Sequence, residues 1–209
     1  MRRISLGGGF RYLMDSVAVG DGAAERTNSL ARYYAESGTP PGVFLGSGLA
    51  DLDGRRGVER GSQVTEEQMR NMLGAMADPV TGEAVGRLPN AGARLAPVAG
   101  FDLTFSPPKS VSVAWALADE GTKAVIYECH RRAVDYVLAN AEREVVHSRS
   151  GTNGIVEQDV TGVVAAAFTH WDSRAGDPQL HDHVVIWNRA VSRSDGRWRT
   201  LDSRGLFKA

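Results

Sequence analysis

The chain has 209 residues, with 24 Lys and Arg against 25 Asp and Glu and a formal net charge of −1. That is enough chain to bury a sizeable core as one large domain or two small ones. The near-neutral balance argues against a generic polycation for nucleic acid, and no apolar run approaches the roughly 18 residues of a membrane span.

The N-terminus "MRRISLGGGF" carries glycines where a signal peptide needs an apolar core, so export is not expected. Cys129, the lone cysteine, forms no internal disulfide and reads as a small buried apolar residue. Both features fit a cytoplasmic, uninserted protein. Charge is unevenly spread: Arg189 to Ala209 holds six basic residues against Asp195 and Asp202, 6 − 2 = +4. The first fourteen residues add Arg2, Arg3 and Arg11 with no acid, so both ends are basic.

In chain order, "GGGFRYLMDSVAVGDG" reads as a glycine-rich entry into a short helix carrying Tyr12. Asn28 caps a second short helix over "SLARYYAES", closed by Gly38 and Pro40–Pro41. Thr65 heads a helix over "EEQMRNMLGAMA", and Gln68 three residues on completes a capping box. "DPVTGEAVGRLPNAGAR" reads as an exposed, mobile connection. "VAGFDLTFS" alternates as a strand, and "SPPKSVSVAWALA" as a helix with Ser106 as cap and Pro107 at its first position. A long amphipathic helix runs from Thr122 to about Val146, with Val125, Ile126, Cys129, Ala133, Val137 and Ala141 near its apolar face. "GIVEQDV", "VVAAAFTHW", "HDHVVIWNRAV" and "RWRTL" read as strands, the last two joined through the Asp-Gly of "SRSDGR". Helices alternating with hairpin-linked strands imply an α/β (α+β) fold over residues 1–209. The expected form is a two-layer sandwich, a central antiparallel sheet with helices mainly on one face.

Two of the five histidines, His181 and His183, open the most apolar strand. Spaced i and i+2, they share a face while Asp182 points away. If "SRAGDP" is a hairpin loop centred between Ala175 and Gly176, His170 falls directly opposite His181, with Cβ atoms about 5 Å apart. Three converging imidazoles with room for a non-protein ligand make a catalytic metal site for one divalent ion, and imidazole suits zinc, manganese or nickel alike. His130 and His147 have no partner in the sequence and read as local polar residues. Asp102 sits in an apolar alternation where an acid is costly unless paired. It either orients a ligating histidine or takes the proton of a nucleophile.

"GFDLTFSPPKSVSVAWAL", a long helix, and then "HWDSRAGDPQLHDHVVIWN…DGRWRTLD" resemble the relaxase domain of conjugative plasmids, in the TrwC and F-plasmid TraI branch of the HUH endonucleases. "ARYYAESGTPPGVFLGSGLADLDG" is most similar to actinobacterial members. The resemblance implies site- and strand-specific nicking and rejoining of single-stranded DNA at a transfer origin, through a covalent 5′-phosphotyrosine. Carried over by motif, His170, His181 and His183 are the metal ligands, and Asp102 assists the tyrosine or orients a ligand. Mg²⁺, Mn²⁺ or Zn²⁺ would each serve. Tyr12 matches the first tyrosine position; Tyr33 and Tyr34 match the second, as a further nucleophile or as packing. The sequence departs from the family pattern in having a single Tyr12 after Phe10 and Arg11, a 21-residue gap from Tyr12 to Tyr33, and Phe44 where tryptophan is common.

Ser106 and Lys109 then surround a helix start suited to a phosphate, Arg174 either contacts the scissile phosphate or pairs with Asp172 or Asp177, and the basic ends can track the DNA backbone. Accessory relaxosome proteins and a type IV secretion coupling protein are the implied partners. The family domain continues with helices that close over the bound strand, so the chain reads as a truncated domain. Two other functions share these features. A rolling-circle replication initiator uses the same chemistry, with its motifs in the other order. A three-histidine oxygenase or hydrolase would act on a small molecule.

Overall fold

The computed structural model describes residues 1–13, 40–52, 58–87, 96–173 and 175–207. Its centre is a five-stranded antiparallel sheet of β1 (Arg2–Ser5), β2 (Val43–Leu45), β3 (Val98–Phe105), β6 (Ala165–Asp172) and β7 (Pro178–Trp187), in the order β1-β3-β7-β6-β2. β7 lies in the middle because its run Val184–Trp187 is fully buried on both faces, as an apolar strand must be. Two smaller hairpins flank the sheet. β4 (His147–Ser150) pairs with β5 (Val156–Asp159), and β8 (Ala190–Val191) with β9 (Trp198–Arg199) around the expected turn at Asp195 and Gly196. "HDHVVIWNRAV" is therefore two strands, broken where the Asn188 side chain donates to the Val98 carbonyl and accepts from the Leu201 amide.

Alternate residues of the central strands feed two cores. On one face Phe101, Ala165, Ala167, Val184 and Ile186 meet Val134 and Leu138 of the long helix. On the other, Phe44, Phe168, Val185 and Trp187 meet Phe10, Leu13, Met69, Met72 and Leu73. Each large apolar side chain so enclosed contributes about 1.5–3 kcal/mol. The longer helices, α2 (Lys109–Leu117) and α3 (Glu120–Glu144), lie on the first face. Short pieces cover the second: a helical turn at 8–13, and α1 (Glu66–Met69) running into a π-helical turn, Arg70–Gly74. The Thr65–Gln68 capping box is present in both directions, and the Trp187 indole donates to the Met72 carbonyl at 2.8 Å, tying the turn to the sheet. A last short helix, α4 (Ser203–Leu206), is capped by Asp202.

Several expectations are corrected. α2 starts at Lys109 with Pro108 as N-cap and no side-chain cap; the Ser106 hydroxyl instead reaches the Leu180 carbonyl at 3.4 Å and accepts from the Gln179 amide. The buried stripe of α3 is His130, Val134 and Leu138. Much of the expected apolar face is turned outward: Val125, Cys129, Ala133 and Val137 are exposed along an open groove, while Ile126 packs on the Trp115 cluster and Ala141 on the core of the first face. Cys129 is accordingly exposed, not buried. α3 is rotated because Asp182 of β7 draws His130 and Arg131 inward. Of the segment taken as an exposed connection, Asp78 and Val85 are buried and Ala77 bridges to Ala84, while residues 88–95 lie outside the described residues. The second expected short helix, with Asn28, also lies outside them.

Candidate active site

β6 and β7 form a hairpin closed by residues 173–177, where the Ser173 amide donates to the Asp177 carbonyl and the Gly176 amide to Ser173, both at 2.9 Å. Gly176 has φ +80°, a backbone region that only glycine enters without strain. This loop sets the register: His170 lies opposite His181 and Phe168 opposite His183, with an irregularity just past His170. All three rings project from one face, with centroids 5.1, 5.2 and 5.3 Å apart. One donor atom from each lies within 4.8 Å of the others. Two nitrogens bound about 2.1 Å from a tetrahedral cation stand roughly 3.4 Å apart, so modest ring rotations would close the set.

The tautomers suit ligation. His181 Nδ1 donates to the Gln179 carbonyl at 2.8 Å, and His183 Nδ1 donates to both oxygens of Asp102 at 2.9 and 3.0 Å. Each bond leaves Nε2 with its lone pair. Burial, then the neighbouring His181 and His183, hold the His170 ring at about 4; burial also lowers His181. Both are neutral near pH 7, as ligands must be. Among the described residues the group has three members, which is the donor set of an open site rather than a closed four-ligand one.

Tyr12 reaches the same place from the N-terminus. Phe10 and Leu13 are buried in the second core, which pins the helical turn and leaves Tyr12 partly exposed over the sheet. Its hydroxyl donates to Asp102 Oδ2, and its ring meets His183 edge-on, centroids 6.0 Å apart. Burial and the adjacent Asp102 carboxylate push the phenol above its ordinary value. Burial alone would raise Asp102, but the hydrogen bonds from His183 and Tyr12 outweigh it and hold the carboxyl below its ordinary value. The resting site is therefore a protonated tyrosine on an ionised aspartate that also grips a histidine. Asp102 thus touches a candidate ligand and a candidate nucleophile at once.

The remaining expected residues are less central. Lys109 is exposed at the start of α2, and Ser106 is exposed beside it. Tyr33, Tyr34 and Arg174 lie outside the described residues. The basic C-terminal stretch is largely engaged internally. Arg189 is 1% exposed and donates to the Val85 and Arg87 carbonyls, Arg193 to that of Val160, and Arg199 and Arg204 pair with Asp195 and Asp202. Arg189 cannot track a DNA backbone from there.

Sequence reasoning missed what lies beneath the histidines. Asp182 does face away from them, but it is fully buried, 3.0 Å from Arg131 Nη1 and 3.5 Å from His130 Nε2. Tyr127 is hydrogen-bonded to Thr169 beside it at 3.1 Å. The available signal was an acid inside an apolar strand, which requires a buried cation, with the adjacent His130–Arg131 pair on the long helix to supply one. His130 is thus paired across the fold. His147 is a local residue as expected, near Asp159 and Glu157 of its own hairpin. Among the described residues, no helix is long and apolar enough to cross a membrane.

The TrwC relaxase family profile matches residues 6–209. Two curated relatives, each a multifunctional conjugation protein TraI from Escherichia coli, are 44% and 42% identical over 110 residues, 52% of this chain and 6% of theirs. The chain is similar throughout its length to the conjugative relaxase TrwC in a metal-bound complex with oriT DNA, with TM-score 0.70, 28% identity and 63% of that chain covered. A copper-bound TrwC–oriT complex matches likewise, with TM-score 0.70, 29% identity and 64% covered. A metal-free complex matches over 86% of this chain and 57% of its own, with TM-score 0.66 and 32% identity. The chain spans less than two thirds of each of these proteins.

Proposed function

Because the chain belongs to the TrwC relaxase family, we propose that it nicks and rejoins one strand of DNA at a conjugative transfer origin through a covalent link to Tyr12. The observation that carries this reading is the Asp102 carboxylate, hydrogen-bonded at once to the Tyr12 hydroxyl and to His183 of the three-histidine cluster. A phenol with pKa near 10 or above is a poor nucleophile at neutral pH, so it needs a base in contact, and Asp102 is one. As Tyr12 Oη bonds to the scissile phosphorus, its proton moves to Asp102; the bond to the 3′ oxygen breaks, and that oxygen takes up a proton. The products are a 5′-phosphotyrosine and a free 3′-hydroxyl, and the exchangeable ester lets the same site rejoin the strand. A divalent cation held by His170, His181 and His183 would supply positive charge beside the non-bridging phosphate oxygens and polarise phosphorus.

Lys109 and Arg174 are proposed to contact the DNA backbone, and Tyr33 or Tyr34 to pack or to serve a second cleavage. Ser106 is placed to hold Gln179, whose carbonyl accepts from His181. The substrate and the partners implied by conjugation, accessory relaxosome proteins and a secretion coupling protein, place the reaction in the cytoplasm. The test is to incubate the protein with Mn²⁺ and a labelled single-stranded oligonucleotide carrying the origin from DNA flanking its gene. The expected product is an adduct that survives denaturation, is lost with chelator or Tyr12→Phe, and is reversed by excess 3′-hydroxyl strand. Two free fragments without an adduct would indicate a hydrolase and sink the proposal.

A further inference from the structure

The exposed Arg2 of β1 stands directly across the ladder from Asp102. Strand alternation puts it on the face of Ile4, which is the face of the site, while Arg3 points to the other face and stacks on Phe207. The guanidinium carbon of Arg2 lies 4.6 Å from the centre of the Tyr12 ring. Among the described residues, no hydrogen bond or ion pair takes its five donors. Asp102, its cross-strand neighbour, has both oxygens engaged by His183 and Tyr12. A cation is thus parked on the candidate nucleophile, on an exposed residue.

We propose that Arg2 is a catalytic residue for strand cleavage, stabilising the negative charge that forms on Tyr12 and donating to a non-bridging oxygen of the scissile phosphate. The inference rests on Tyr12 being the nucleophile. The chemistry balances without a further reagent: the Tyr12 Oη–phosphorus bond forms, the phosphorus–3′ oxygen bond breaks, the phenol proton passes to Asp102 and on through solvent to the departing 3′ oxygen, and Arg2 keeps its protons throughout. Arg2 stands 4.6 Å from the Tyr12 ring and across the ladder from Asp102, so its charge is already in place where negative charge develops on the attacking oxygen. Its planar fork suits a phosphate, and a preplaced charge stabilises the transition state without reorganising.

The experiment compares wild type, Arg2→Met, Arg2→Lys and Tyr12→Phe in single-turnover nicking of the origin oligonucleotide at saturating Mn²⁺ and saturating DNA. Binding is measured in parallel in the non-cleaving Tyr12→Phe background. Arg2→Met should slow the first-order step on the order of 100-fold or more, with affinity changed less than about threefold. Arg2→Lys should recover part of the loss. Arg2→Met within twofold of wild type, or a defect confined to affinity, overturns the proposal while Tyr12→Phe remains inactive. A Tyr12→Phe variant that still forms the adduct overturns the nucleophile itself, and this inference with it.

Discussion

Asp102→Asn separates the two roles the structure gives one carboxylate. The side chain is 3% exposed and accepts from His183 at 2.9 and 3.0 Å and from the Tyr12 hydroxyl. Asn keeps the size but has one acceptor oxygen, no charge and an amide that can only donate, so one partner meets a donor. Replacing two charge-assisted bonds by one neutral bond costs about 1–3 kcal/mol of stability, a fall of a few degrees in melting temperature for a chain this long. Loss of the outer partner of a ligating histidine lowers metal affinity about 10- to 100-fold. Loss of a proton acceptor slows the chemical step about 10²- to 10⁴-fold. Isothermal titration with Mn²⁺ reads the affinity, and single-turnover nicking at saturating Mn²⁺ reads the chemistry. If the saturated rate stays within threefold of wild type, Asp102 does not receive the Tyr12 proton and only orients His183. If affinity is also unchanged, the hydrogen bonds have neither consequence.

His181→Ala removes a direct ligand and should lower metal affinity by at least about 100-fold, exceeding the effect of an outer partner; retention of stoichiometric metal after dialysis would contradict the three-histidine site. Arg131→Met leaves the Asp182 carboxylate buried beside His130 and should cost about 3 kcal/mol in urea unfolding, whereas a loss under 1 kcal/mol would mean the pair is not structurally coupled. In metal-free protein His170 should titrate near pH 4 by NMR. Its folded value lies below the unfolded 6.5, so the unfolded chain takes up the proton first. Stability is then lost as pH falls from about 6.5 through about 4, and a midpoint near 6.5 would show that the ring is not buried as described.

The histidine register was legible in the sequence because a hairpin is short-range: the loop length and the two-residue alternation place His170 opposite His181. The Thr65–Gln68 box and the Asp195–Gly196 turn were legible for the same reason, and the resemblance named the chemistry. What joins Tyr12 to Asp102 was not, because those residues are 90 apart and meet only through the strand order β1-β3-β7. Nor could local periodicity orient α3, whose apolar residues form more than one stripe. The stripe that won was set by a buried acid on another element, Asp182, whose charge had to be met by Arg131 and His130. That one requirement turned Cys129 to the surface. Arg189, surface-like by composition, went inside because unpaired carbonyls at Val85 and Arg87 needed a donor there. Short-range geometry was written in the chain itself, while long-range pairing and the neutralisation of buried charge were decided only when the layers packed.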